Sequence, residues 1–254
     1  MTRRPNGRTI PLSPCRRLIN DVLHFARKVP TVPVQRRMDL APLVAVRNTA
    51  RPRPSWCAIF IKAYSFVAAA CPELRRAYLS FPRARLYEHP ENVASVAVER
   101  RLGDEDAVFF GHLRNPERQS LTDIDIQLRR FKEERVENIG LFRRALKVSR
   151  LPGPLRRFLW WFGLSAWGRK RAHYMGTFGV TSYASLGAAS LHPLSPLTTT
   201  LNYGVIEPDG TVDVRLTYDH RVLDGASVAR ALAELERVLT HEILAELRYL
   251  PAAA

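Results

Sequence analysis

Near the end of the chain two strand-like runs, residues 197–206 and 212–218, flank the turn Pro208-Asp209-Gly210, and a tight turn then leads into an amphipathic helix. Strands joined by so short a connection pair antiparallel, because a parallel crossover needs about a dozen residues or more. Further strand-like runs at 83–87, 93–99, 107–113 and 178–183 are separated by helical patterns of uneven length. A chain of 254 residues is long enough for one sizeable core. The arrangement predicts a single domain, 1–254, of α/β (α+β) sandwich type, with a mixed β-sheet flanked by helices and not a doubly wound parallel sheet.

The helical segments carry their own punctuation. Leu18, Val22 and Phe25 share one helix face, which ends near Pro30. Residues 32–38 read as a short strand that Pro33 confines to a sheet edge or a strand start, and Asp39 reads as the N-cap of a short helix. After the breaker Arg51-Pro52-Arg53-Pro54, Ser55 caps a strongly apolar helix over 56–70, which Cys71-Pro72 stops. Ser120 begins a helix that runs to about residue 134. Residues 141–167 are helical with breaks at Pro152 and Pro154, and Val228, Leu232, Leu235, Val238 and Leu239 mark the final helix.

The formal charge is +15, a value that points to nucleic acid, an anionic membrane or an anionic substrate. Nearly all of the excess is arginine, with lysine only at 28, 62, 132, 147 and 170, as a coding bias alone would give. No nucleic-acid-binding motif accompanies it, so no nucleic-acid partner is expected. Cys15, Cys57 and Cys71 lack metal-ligand spacing and read as reduced, partly buried thiols of a cytoplasmic protein. No metal site and no glycine-rich phosphate loop is expected. The basic N-terminus has no apolar stretch behind it and is not a secretory signal. The most apolar stretch, 158–167, is shorter than the roughly 20 residues that span a bilayer.

Chemistry concentrates in residues 211–226. A strand delivers His220 into a tight turn, and Asp224-Gly225 opens a helix. A histidine at a strand end can project into a cleft while the sheet fixes its backbone. Asp224 can hold the turn through a salt bridge, and Gly225 permits a close backbone approach.

The run Asp219-His220-Arg221-Val222-Leu223-Asp224-Gly225 resembles the His-x-x-x-Asp-Gly signature of the chloramphenicol-acetyltransferase-like superfamily. Asp219 before the histidine and Arg221 after it resemble one branch in particular, the catalytic domain of 2-oxoacid dehydrogenase acyltransferases (dihydrolipoamide acyltransferases). Three more landmarks follow the same order. Residues 10–17 resemble the opening of that domain, and residues 107–115 resemble the apolar strand before its Ser-Leu helix start, here Ser120-Leu121. Gly176-Thr177-Phe178-Gly179-Val180-Thr181-Ser182 is similar to its Gly-Thr-Phe-Thr-Ile-Ser-Asn strand.

The resemblance implies an acyltransferase in which His220 is the general base, taking a proton from a thiol or hydroxyl that attacks an acyl thioester. It implies no permanently bound cofactor, with a coenzyme A thioester as co-substrate. It puts the oxyanion hydroxyl at Thr181, where the family usually has serine, with Ser182 on the opposite strand face as the other candidate. Asp224 is implied as a structural residue paired with an early arginine, Arg16 first and Arg17 next. Active sites between neighbouring subunits imply a homotrimer.

Three departures stand beside the resemblance. No lipoyl or subunit-binding domain precedes residue 8, which favours coenzyme A or a carrier-protein thioester as donor over a lipoyl arm. A basic, Trp-rich insertion occupies about 141–175, and its 154–171 segment suits either a membrane surface, peripheral on the inner face, or burial against the protein. Thr198, Thr199 and Thr200 stand where the family is more aliphatic, and the sequence offers no functional account of them. Two other readings therefore remain beside acyl transfer: an inactive scaffold of the same fold, and a membrane-surface module.

Overall fold

The structure, a computed structural model, describes residues 7–249. The chain runs α1 (Pro14–Ala26), β1 (Thr31–Asp39), α2 (Ala41–Thr49), α3 (Trp56–Ala70), β2 (Arg76–Leu79), β3 (Arg85–Glu88), β4 (Val93–Leu102) and β5 (Glu105–Arg114). It continues with α4 (Leu121–Glu133), α5 (Gly140–Ser149), α6 (Gly153–Trp161), α7 (Gly168–Met175), β6 (Phe178–Thr181), β7 (Thr199–Tyr203), β8 (Thr211–Asp219), α8 (Gly225–Val238) and α9 (Leu244–Tyr249). Six strands form one sheet in the order β1-β8-β7-β6-β4-β5, while β2 and β3 pair separately. β6 runs parallel to both β4 and β7, and the remaining pairs are antiparallel. The mixed sheet expected from the late hairpin is present, and the strand carrying Pro33 lies at its edge.

Each element follows from its local sequence. Ser55 accepts the Ala58 N–H and caps α3, as Ser120 accepts the Asp123 N–H and caps α4. Pro33 has no N–H to donate, which an edge strand tolerates. In the β7–β8 turn Gly210 has φ 86°, and a Cβ there would come within 2.5 Å of the Ala41 Cα, so only glycine closes this hairpin against α2. Leu40, and not Asp39, is the residue before α2; Asp39 Oδ1 accepts the Ala41 N–H one position earlier than expected. β2 was not foreseen, since Arg-Ala-Tyr-Leu is too short to show a period. β6 stops at Thr181, which leaves Ser182 outside the strand.

The two sheet faces differ. One packs on α3, α4, α8 and α9 around Phe60, Tyr64, Val96, Phe178, Leu201 and Leu216. Phe60 stacks on Tyr203 at 4.3 Å and Tyr64 meets Phe178 edge-on at 4.8 Å. α3 is buried around most of its circumference, and for that reason its apolar residues do not form a single stripe. Its one lysine, Lys62, reaches Glu246 of α9 at 2.5 Å, and Glu246 also accepts the Leu121 N–H at the start of α4. α1, α5, α6 and α7 pack beside β4 and β5 around two smaller clusters.

The stretch 141–175 is therefore built into the fold. Arg156 of α6 forms a buried ion pair with Asp21 of α1. The Phe81 N–H donates to Ser165 O, and Gly168 lies against the Tyr87 ring. Its outer side leaves Leu155, Phe158, Phe162 and Trp167 exposed. No helix among the described residues is long and apolar enough to cross a membrane. Because the Asp21 carboxylate is fully buried, Arg156→Gln strands an unpaired charge and should cost about 3–5 kcal/mol in denaturant unfolding. The double variant Asp21→Asn/Arg156→Met should recover most of that loss.

Candidate active site

β8 ends on Asp219, which is buried, and the chain turns sharply at His220. Three bonds from one residue fill this carboxylate. The Arg221 backbone N–H and Nε donate to Oδ1 at 3.0 and 2.9 Å, and Arg221 Nη2 donates to Oδ2 at 2.7 Å. The Val222 and Leu223 N–H groups close on Asp219 O, and the Asp219 N–H donates to Thr198 O. The Arg221 guanidinium covers the Tyr78 ring at 4.3 Å. Beneath lies Arg171 of α7, buried, donating to the carbonyls of Tyr78, Leu164 and Pro196. Burial pulls Arg171 down to about 10, Asp219 opposes that pull and Arg221 adds to it, so the residue stays cationic at neutral pH. Asp219 and Arg171 are thus two buried charges under the turn, and Arg221, its side chain 32% exposed, closes over them from the surface.

His220 sits on top of this cluster with its side chain about half exposed, 52%. Its backbone N–H donates to Pro30 O just before β1, which fixes the residue between the first and last strands of the chain. The Nδ1 atom faces Asp224 Oδ1 at 3.8 Å, beyond hydrogen-bond range. The Nε2 atom has no protein partner among the described residues.

Several expectations are corrected here. The turn is anchored by Asp219, not by Asp224, whose side chain is 86% exposed before the first turn of α8. Arg16 does not pair with Asp224; it lies on α1 and bridges to Glu105 of β5 at 3.2 Å, while Arg17 Nε donates to Leu12 O. Gly225 makes no forced close approach, because a Cβ there would meet only the Tyr218 hydroxyl oxygen, 3.4 Å away. Ser182 is a turn former whose hydroxyl donates to Tyr203 O and accepts the Ala184 N–H.

Thr181 lies at the end of β6. Phe178 and Val180 belong to the main core, so alternation turns Gly179 and Thr181 to the other sheet face. Thr181 is paired with Asn202, and Asn202 with Arg215. His220 lies five residues beyond Arg215, so the separation is about 16 Å along β8 and about 10 Å across two strand spacings, roughly 19 Å in total. Thr181 and His220 therefore stand at opposite ends of the sheet and cannot hold the same reacting atom within one chain. An open depression of about 500 Å³, lined by Arg37, Gly204, Asp213 and Arg215 among others, lies at the Thr181 end.

Of the three threonines, Thr198, just before β7, gains an account. Thr198 donates to Arg76 O at 2.6 Å and its own carbonyl holds the Asp219 N–H, so it ties β2 to the His220 turn. A sequence offers no sign of this, since both partners are backbone groups far away in the chain. The three cysteines offer no competing nucleophile. Burial raises all of them, Cys57 to about 11, and a thiol so raised stays protonated at neutral pH. Among the described residues no three His, Cys, Asp or Glu side chains converge as a metal site would require.

Asp219→Asn removes the charge that balances Arg221 and Arg171, and should lower unfolding stability by about 3–5 kcal/mol. Asp224→Asn should leave the urea midpoint where it is. Equal losses in the two variants would return the anchoring role to Asp224.

No protein-family model matches the chain, and no curated protein matches its sequence. Solved structures do match. The dihydrolipoamide acetyltransferase of Azotobacter vinelandii is similar at a TM-score of 0.68 and 19% identity, over 95% of this chain and 94% of that one. A probable dihydrolipoamide acetyltransferase of Listeria monocytogenes gives 0.64 and 19%, over 92% and 94%. The truncated catalytic core of the 2-oxoacid dehydrogenase multienzyme complex from Thermoplasma acidophilum gives 0.66 and 18%, over 92% and 99%. At such identities the likeness is one of fold, and the fold is the chloramphenicol-acetyltransferase-like one, in the form of dihydrolipoamide acetyltransferase cores.

Proposed function

We propose that this protein is an acyltransferase that moves an acyl group between a thioester and a thiol, hydroxyl or amine acceptor, with His220 as general base. The observation that carries the reading is His220 itself. Its backbone N–H is held by Pro30 O, the buried Asp219 before it is paired with Arg221, and its half-exposed ring leaves Nε2 without a partner, in the fold of acyltransferase cores. A base must present a lone pair, so the neutral imidazole is the working form. The Asp224 carboxylate, 3.8 Å from Nδ1, favours a proton on that nitrogen and so leaves the lone pair on Nε2. Asp224 in this reading orients His220 and does not stabilise the fold.

Thr181 is the proposed oxyanion donor. Its hydroxyl faces away from the main core, whereas the Ser182 hydroxyl is taken up by backbone groups. With Thr181 and His220 about 19 Å apart in one chain, the site needs two copies, one giving the base and its neighbour the donor. A homotrimer with sites between subunits meets that requirement. The co-substrate we favour is a coenzyme A thioester, held without a permanent cofactor, in a protein of the cytoplasm.

Purified protein should transfer acyl groups from a panel of coenzyme A thioesters to a thiol acceptor, followed by mass spectrometry. His220→Ala should reduce turnover about 10²–10⁴-fold. Thr181→Val should reduce it about 10²–10³-fold with little change in donor binding, since the hydrogen bond strengthens as charge develops on oxygen. Thr181→Ser should keep most activity. Wild-type turnover in a folded His220→Ala protein would remove His220 as the base, and no turnover in the wild type with any thioester would leave the scaffold reading in place of acyl transfer.

A further inference from the structure

A second cleft, of about 430 Å³, opens between α5, α6, α7 and the β4–β5 hairpin. That volume is in the range of small-molecule sites, roughly 300–1,000 Å³. Its wall is largely apolar and includes Leu141, Val148, Leu159, Phe162 and Trp167. Two polar atoms interrupt that wall. His112 Nε2 and Trp160 Nε1 are buried and have no hydrogen-bond partner among the described residues, and both side chains line the cleft. Burial pushes His112 down to about 4, so its ring is neutral at pH 7. An indole N–H can only donate, whereas the His112 ring also bonds to the His173 backbone, which takes up the one N–H of a neutral imidazole. The unpaired Trp160 N–H in an apolar wall calls for a ligand that carries an oxygen acceptor.

The rim is cationic. Arg144 and Lys170 line the cleft, and no acidic residue occurs between Leu141 and Val180. Arg144 Nη1 meets His173 Nε2 at 3.0 Å, while Arg114 Nη2 meets His173 Nδ1 at 3.0 Å. A neutral imidazole accepts at only one nitrogen, so one of these contacts sets N–H against N–H. Burial and the charges of Arg144, Arg114 and Lys170 hold His173 in its neutral form. An anion in the cleft that draws Arg144 away from His173 would relieve that conflict.

We propose that this cleft binds a single acyl chain with an anionic, oxygen-bearing end. The chain lies on the apolar wall, and the polar end meets Trp160, Arg144 and Lys170. This site is separate from the His220 turn and does not rest on the acyl-transfer reading. The shared chemistry is an acyl carbonyl with negative charge on the same molecule, borne by the carboxylate itself in a free acid and by the phosphates in a coenzyme A thioester.

Calorimetry on the full chain tests it with octanoate through tetradecanoate, the 1-alkanols and alkyltrimethylammonium ions of equal length, and dodecanoyl-coenzyme A. Affinity should rise about fourfold per added methylene until the cleft is full. Carboxylates should exceed alcohols by about fivefold or more at low salt, and Arg144→Gln/Lys170→Gln should erase the difference. Gly163→Leu should weaken every ligand, because Gly163 lines the cleft and a Cβ there stands 3.8 Å from the Tyr174 ring, which also lines it. Binding should survive His220→Ala, which separates this site from the catalytic reading. Tighter dodecanoate identifies the free acid as the source, and tighter dodecanoyl-coenzyme A the thioester; both support the site. Equal binding of acids and alcohols, preference for the cations, or indifference to Gly163→Leu in a protein with an unchanged melting curve would overturn it. So would no binding at all together with self-association that Phe162→Ser abolishes, which would make the cleft an interface between copies.

Discussion

One buried carboxylate organises the business end of this molecule. Asp219 pairs with Arg221 of its own turn and lies in the field of Arg171 of α7, and the two arginines gather β8, β2, the segment before β7 and the turn that follows α6. A charge buried this deeply is tolerable only when fully paired, so the segments that supply its partners are locked together. His220 inherits its position from this cluster. The same cluster explains why residues 141–175 cannot be a loose appendage: Arg171 belongs to them, and its three carbonyl partners hold Tyr78, Leu164 and Pro196 in place. Leu164 also lines the second cleft, so the cleft and the His220 turn share one rigid support.

Sheet register imposes the second constraint. Because β6, β7 and β8 are locked in register by their ladders, the Thr181 hydroxyl and the His220 imidazole point out at opposite ends of one subunit. No side-chain rotation closes a gap of about 19 Å. If both residues act on one acyl group, the chemistry belongs to an assembly, and the half-exposed His220 and the open depression by Arg215 are two halves of sites that neighbours complete. An oxyanion donor is effective only when fixed before the reaction, and a strand end backed by the Asn202 amide on Thr181 O meets that need.

Much of this was legible in the sequence. The antiparallel β7–β8 hairpin, the Ser55 and Ser120 caps, the edge position of Pro33 and the strand–turn–helix around His220 all follow from short-range rules, because each depends on residues a few positions apart. Long-range polar partners were not legible. Arg171 and Thr198 reach backbone carbonyls about 90 and 120 residues away, and a carbonyl has no letter in the sequence. Asp219 and Asp224 look equally able to anchor a turn as letters; burial alone separates them. Arg16 satisfies the spacing of an early arginine but lies over Glu105, the nearer carboxylate. The Trp-rich stretch suited a membrane or a protein surface equally, and packing against α1 and the β2–β3 hairpin decides for the protein on its inner side.

The central claim is that two copies share one acyl-transfer site. It is tested most directly by mixing subunits that carry His220→Ala with subunits that carry Thr181→Val, each nearly inactive alone, after unfolding and joint refolding. The account predicts that activity returns to a sizeable fraction of wild type, because some interfaces then pair an intact His220 with an intact Thr181. Mixed assemblies no more active than the sum of the two variants would contradict it.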